Sequence, residues 1–108
     1  MKAEVVELVL DGSSGHPGLE RAFAEKMVKL FDLFKTKQKS YGPYNISVFG
    51  ERGVVIRSND KIQRLIRMVW QEVKNPLTDE TIEDTWGDLA VYAIIALLWR
   101  KGEWPSCN

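Results

Sequence analysis

Asp84, Asp88 and Tyr92 stand four residues apart in residues 80–99, a stretch that is acidic at its start and apolar at its end. On a helix this spacing places the three side chains on one face. Asp88 lies well past the first turn, among core-type residues, so the helix dipole does not explain it. A buried carboxylate requires a cation, a metal ion or a ligand opposite it. We therefore predict that Asp84 and Asp88 bind Mg²⁺, which prefers hard oxygen ligands.

A basic face on the preceding predicted helix offers two alternatives for these carboxylates. Lys61, Arg64 and Arg67 can contact a phosphate, for which arginine provides a planar fork. Arg64 or Arg67 can instead bond the aspartates in a purely structural network. Asp60 and Arg64 also form an i, i+4 pair, a contact typically worth about 0.3–0.5 kcal/mol. A further lysine-rich segment, residues 35–42, either complements a helix C-terminus or lies over an anionic ligand.

Hydrophobic periodicity predicts the elements that position these residues. Apolar residues at three- and four-residue steps indicate helices over residues 19–39, 58–74 and 78–101. Ser58 or Asn59 caps the second helix, and Thr81 to Asp84 fits a capping box at the third. Residues 44–57 form an ordered connection with a possible short β hairpin. The expected fold is a mostly α, antiparallel bundle of three main helices in one domain, with an N-terminal segment and loop (1–18), a helical body (19–101) and a tail (102–108).

Composition limits the class of protein. With 108 residues the chain forms one domain, and its 15 basic and 15 acidic residues give no net charge that would favour direct DNA binding. Cys107 is the only cysteine, and we expect its thiol to be exposed in the tail. Because a single cysteine allows no internal disulfide, a reducing, cytoplasmic location is expected. No apolar run reaches the roughly 18 residues of a membrane span. Eleven aromatic residues in so short a chain suggest burial against a second copy, and we expect a homodimer.

Several motifs read together resemble a known family. They are K-x-x-x-Y-G at 37–42, Asn45, G-x-x-G-V-x-I-R at 50–57, D-K-x-x-R-L at 60–65 and D-T-x-x-D-L-A-x-Y-A at 84–93. This combination resembles the phage and bacterial nucleotide modification associated domain family, type one, over roughly residues 25–100. The resemblance implies nucleotide metabolism, a phage origin in a host cytoplasm, and ligand contacts from Tyr41, Asn45 and Arg57.

A looser likeness is to the MazG-like all-α nucleoside triphosphate pyrophosphohydrolases, whose second acidic motif resembles residues 83–93 with Asp88 as its last acid. Thr85 stands where that motif has an acid, and neither of the two preceding predicted helices contains an E-x-x-E.

Two functions follow from these patterns. In the first, the protein is a Mg²⁺-dependent pyrophosphohydrolase in which Asp84 and Asp88 hold the metal and Asp60 completes the cage. Lys61 and Arg64 contact the phosphates, while Tyr92 and Trp86 contact the base. In the second, the protein is a non-catalytic module that binds a nucleotide or a partner and serves phage nucleotide modification or counter-defence.

Overall fold

The computed structural model of the chain describes residues 6–74 and 80–106. Helices dominate both ranges and neither contains a strand, so the prediction of a mostly α fold is confirmed. The residues between the second and third predicted helices (75–77), the predicted start of the third helix at residue 78, and the thiol of Cys107 lie outside the described residues. The elements are α1 (Pro17–Tyr41), α2 (Tyr44–Ser47), α3 (Gly50–Leu65), a π-helical turn (Ile66–Trp70) and α4 (Ile82–Arg100).

Helix α1 is the predicted first helix, extended by two residues at each end. It stops at Tyr41 because Gly42 takes a positive φ of 70° and donates its N–H to the Gln38 carbonyl oxygen at 2.8 Å. Pro43 follows and cannot continue a helix. None of the 25 residues of α1 is buried. The helix therefore lies at the margin of the molecule rather than in its centre.

Residues 44–57 form helices, so the predicted β hairpin is wrong. α2 and the first half of α3 occupy this stretch, and Val54 is a buried core residue of α3. β-branched residues cost a helix only a fraction of a kcal/mol each, and burial of Val54 against α4 outweighs that cost. Gly50 begins α3 with a φ of +59°, and a Cβ there would lie 2.6 Å from Cζ2 of Trp99. Only glycine fits this contact with α4.

The middle helix begins earlier than predicted. Ser58 and Asn59, predicted as caps, lie inside α3. Regular helix also ends earlier, since α3 gives way to the π-helical turn at Ile66. The predicted apolar spacing is correct for Leu65, which is buried, whereas Trp70 is 83% exposed.

Helix α4 starts with the predicted capping box. The Asp84 N–H donates to the Thr81 hydroxyl at 3.0 Å, and the Thr81 N–H donates to the Asp84 carboxylate at 3.2 Å. Val91 and Ile95 of this helix form the centre of the buried core.

Residues beyond α4 were predicted to be a tail, but Trp104 belongs to the core. Its ring makes a T-shaped contact with the Phe34 ring, with centroids 6.2 Å apart, and its indole N–H donates to the Pro43 carbonyl oxygen at 3.1 Å. The Ser47 hydroxyl donates to the Pro105 carbonyl oxygen. The C-terminal segment thus closes the core over α2.

The helices are arranged unequally around α4. α3 runs antiparallel to α4, as contacts between Gly50 and Trp99 at one end and Lys61 and Asp88 at the other show. α1 reaches α4 through the residues of its C-terminal half, with Leu30 close to Gly87. No described helix is both long enough and apolar enough to cross a membrane.

Candidate functional site

Five charged side chains of alternating sign meet beside the start of α4. Lys37 Nζ lies 2.6 Å from Asp88 Oδ1, and Lys61 Nζ lies 2.9 Å from Asp88 Oδ2. The same Lys61 ammonium lies 2.8 Å from Glu80 Oε1. Arg64 Nε then lies 3.1 Å from Glu80 Oε2. We call this set the charge cluster; its members in order of contact are Lys37, Asp88, Lys61, Glu80 and Arg64.

Local sequence explains how α3 and the start of α4 position their members of the charge cluster. Lys61 and Arg64 are three residues apart on α3 and therefore share a face. Glu80 directly precedes the cap of α4, so its carboxylate is held beside the first turn. The Thr85 side chain is completely buried, and its hydroxyl lies 2.9 Å from both Glu80 Oε2 and the Thr81 carbonyl oxygen. The cluster consequently ties α1, α3 and the start of α4 together.

Burial and hydrogen bonding act in opposite directions on the two central groups. Burial raises the pKa of Asp88, but hydrogen bonds from Lys37 and Lys61 outweigh it and the pKa is lowered from its ordinary value. Burial lowers the pKa of Lys61, but hydrogen bonds to Glu80 and Asp88 outweigh it and raise the pKa above the ordinary value. Both groups are therefore charged at neutral pH.

The magnesium site predicted at Asp84 and Asp88 does not fit this geometry. Asp84 is exposed and caps α4, while both carboxylate oxygens of Asp88 are taken by ammonium groups. Mg²⁺ at Asp88 would have to displace two cations that already neutralise the carboxylate. Within residues 6–74 and 80–106, no group of three or more His, Cys, Asp or Glu side chains could hold a metal ion.

The structure selects among the predicted ion pairs. Asp88 is in a network, as the structural alternative required, but its partners are lysines rather than Arg64 or Arg67. Arg64 bonds Glu80 instead of the predicted Asp60. Asp60 is exposed on α3 and takes no part in the cluster.

A cavity of about 270 Å³ adjoins the charge cluster between α1, the start of α2, α3 and α4. Its floor is apolar, formed by core side chains that include Ile46, Val91 and Ile95. Its walls are polar and chemically mixed: they comprise the cations Lys37 and Arg57, the carboxylate of Asp88, the amides of Gln38 and Asn45, and the phenols of Tyr41 and Tyr92. We call this space the α1–α4 cavity.

Most of the predicted site residues meet at these two adjoining features. Tyr41, Asn45, Arg57, Asp88 and Tyr92 line the α1–α4 cavity, and Lys61 and Arg64 belong to the charge cluster. Asp60 and Asp84 belong to neither, and the predicted base contact Trp86 does not line the cavity.

The sequence patterns do not single out two members of the charge cluster, Glu80 and Lys37. Glu80 fits the ordinary preference for acids near a helix N-terminus, so its sequence carries no signal of the pairing with Lys61. Lys37 is one of several lysines in residues 35–42, and only its place in the K-x-x-x-Y-G motif distinguishes it.

Comparisons of the chain with family models, with curated proteins and with solved structures gave no match. The resemblance to nucleotide modification associated domains and the looser one to MazG-like enzymes accordingly stay predictions.

Proposed function

We propose that this protein binds an anionic ligand of the nucleotide class in the α1–α4 cavity, without a metal ion. The observation that carries the proposal is the position of Arg57. Its half-buried side chain lines the cavity and has no carboxylate or hydrogen-bond partner among the residues that the structure describes. An arginine fork that is held in a cavity and left without a counter-ion suits a phosphate.

The charge balance around the cavity supports an anion. Four cations, Lys37, Arg57, Lys61 and Arg64, face the two carboxylates of Asp88 and Glu80 across the cavity and the adjoining cluster. The excess of positive charge is local, since the whole chain has none. A cavity lined by an excess of positive charge raises the concentration of anions at its mouth.

The remaining lining suits the other half of a nucleotide. Small-molecule sites combine apolar walls with a few placed polar groups, and this cavity offers two amides and two phenols above an apolar floor. The Asn45 side-chain oxygen already accepts the Ile46 N–H at 3.0 Å, which fixes the amide and leaves its NH₂ to donate. Aromatic faces such as those of Tyr41 and Tyr92 are common partners of bases. The cavity volume of about 270 Å³ favours a compact ligand, because small-molecule sites usually measure about 300–1,000 Å³ and this cavity lies just below that range.

Calorimetry with the Arg57→Ala variant tests the proposal. Nucleoside mono-, di- and triphosphates, the free nucleoside and inorganic phosphate are titrated into the protein in the presence of EDTA. We expect at least one nucleotide to bind more tightly than its nucleoside, and Arg57→Ala to weaken that binding about tenfold or more, because a hydrogen bond to a charged group is worth about 1.5–3 kcal/mol. Arg52→Ala, on an exposed residue of the same helix, is the matched control and should bind normally.

Three results would refute this proposal: no binding by any ligand to folded protein, equal effects of Arg57→Ala and Arg52→Ala, or binding that requires Mg²⁺. Parallel incubation of the triphosphates with Mg²⁺ tests the hydrolase directly. Release of pyrophosphate would support the predicted pyrophosphohydrolase over a binding module.

Self-association is part of the same proposal. The homodimer expected from the aromatic content gains support from large apolar side chains that remain exposed, such as Phe23 and Trp70. A cytoplasmic location and a role in phage nucleotide modification stay expectations from the sequence.

A further inference from the structure

Helix α1 extends beyond the rest of the molecule with its apolar stripe uncovered. In its C-terminal half, Leu30, Leu33 and Phe34 pack against the core around α4. In its N-terminal half the stripe continues, and no residue of the helix is buried. The uncovered residues are Leu19 at 68% exposure, Phe23 at 67% and Met27 at 41% in this half, and Phe31 at 59% just past the middle of the helix.

These four side chains form one ridge, because each follows the last by four residues. We call Leu19, Phe23, Met27 and Phe31 the α1 ridge. Such ridges interdigitate with the grooves of a second helix that bears the same spacing, and this is the commonest mode of helix packing. In a homodimer the second copy of α1 has that spacing, because its sequence is the same.

An apolar groove extends the surface of the α1 ridge. Residues 8–10 run beside the start of α1, and together with Leu19, Phe23 and Met27 they line a groove of about 340 Å³. The loop that follows residues 8–10 is held to α1 by Glu20, whose carboxylate accepts hydrogen bonds from the Gly12 and Ser14 N–H groups. Because three residues of the α1 ridge also line the groove, the ridge and the groove form one continuous apolar surface.

The solvent-accessible surface of the chain indicates how much area a partner would have to bury. The chain exposes 8983 Å², whereas a folded monomer of 12.4 kDa exposes about 6,100 Å². The excess of roughly 2,900 Å² exceeds the area, about 1,000–2,500 Å², that each subunit buries in an obligate homodimer. A radius of gyration of 16.3 Å against about 13 Å for a 100-residue domain agrees with this excess.

We infer that the α1 ridge and its groove form the interface of a homodimer, with the two α1 helices packed against each other across a two-fold axis. The zero net charge of the chain is compatible with self-association, because no long-range repulsion opposes it. This inference does not depend on the ligand proposed for the α1–α4 cavity.

Light scattering after size-exclusion chromatography, over a range of protein concentrations, tests the interface. We expect the wild-type protein to have twice the mass of the 12.4 kDa chain. Phe23→Glu should yield monomers with retained helical circular dichroism, because it places a charge in the centre of the ridge. Val55→Glu makes the same kind of change at an exposed position of α3, 62% accessible, and should leave the dimer intact.

If Phe23→Glu does not fold, Leu19→Glu near the start of α1 takes its place and should raise the dimer dissociation constant at least tenfold. A wild-type protein that stays monomeric at every concentration would overturn the inference in favour of another occupant, such as a different protein or a lipid surface. A dimer that resists both ridge variants, or that Val55→Glu disrupts, would place the interface elsewhere and overturn it as well.

Discussion

Replacement of Asp88 by asparagine removes the negative charge that joins two lysines in the charge cluster. The side chain of Asp88 is 9% exposed, and each of its oxygens is bonded to an ammonium group. Asparagine has nearly the same shape, but its NH₂ group would face one of these ammonium groups instead of accepting from it. The variant therefore tests the charge at position 88 with little change in packing.

The expected cost follows from the two lysines that remain. Removing one partner of a buried ion pair costs about 3–5 kcal/mol, because the other charge stays buried without compensation. Lys37 is 39% exposed and can turn to solvent, whereas Lys61 is 15% exposed and keeps Glu80 as its second partner. We therefore expect a loss near the low end, about 3 kcal/mol, which corresponds to a fall in Tm of about 12 °C or more.

The effect should depend on pH in a defined direction. The pKa of Asp88 is lowered in the folded protein below its ordinary value of 3.8. Its stabilisation is therefore complete above that ordinary value and is lost as the pH falls through the lower, folded-state pKa. Protonated aspartic acid resembles asparagine, so the difference between wild type and Asp88→Asn should shrink as the pH falls below about 4.

Urea denaturation followed by circular dichroism, at equal protein concentration and at several pH values, measures both effects. Glu51→Gln is the matched control, because Glu51 pairs with Arg100 at 2.8 Å in a contact where the arginine is 72% exposed. That change should cost less than about 1 kcal/mol. A loss below 1 kcal/mol for Asp88→Asn at pH 7, or a difference from wild type that acidification leaves unchanged, would refute this account of the cluster.

Two further stability predictions concern helix starts, both measured by the same denaturation. Gly50→Ala should cost about 2 kcal/mol or more, because it combines a positive φ with a Cβ only 2.6 Å from the Trp99 ring. Gly18→Ala in α1, where a Cβ meets nothing within 4 Å, is the control and should be neutral or stabilising by up to about 1 kcal/mol. Thr81→Ala should cost about 1 kcal/mol, since the Asp84 N–H loses its acceptor at the start of α4; a neutral result would show that solvent replaces this cap without cost.

Local sequence was sufficient to predict the helices whose signals lie within a few residues. The Thr81 and Asp84 capping box fixed the start of α4, and Gly42 with Pro43 fixed the end of α1. The start of α3 could not be read in this way. Val54 to Ile56 resemble a strand locally, and only the distant residues of α4 that bury Val54 explain why they are helical.

The site shows the same division between local and distant information. An aspartate within an apolar helix predicted a cation opposite Asp88, and cations are present there. One of these cations, Lys37, lies 51 residues from Asp88 in the sequence. No local pattern specifies a partner at that separation. The magnesium prediction assumed that Asp84 shares the site because it shares the helical face. The cap at Thr81 instead takes that carboxylate.

The order of charges in the cluster constrains how the sequence can diverge. Positive and negative groups alternate from Lys37 to Arg64, so both Lys61 and Asp88 touch two neighbours of opposite sign. Any single exchange of sign at either position brings like charges together on both sides. We therefore expect strong epistasis between Lys61 and Asp88, in which natural variants either retain both charges or replace both residues by uncharged ones.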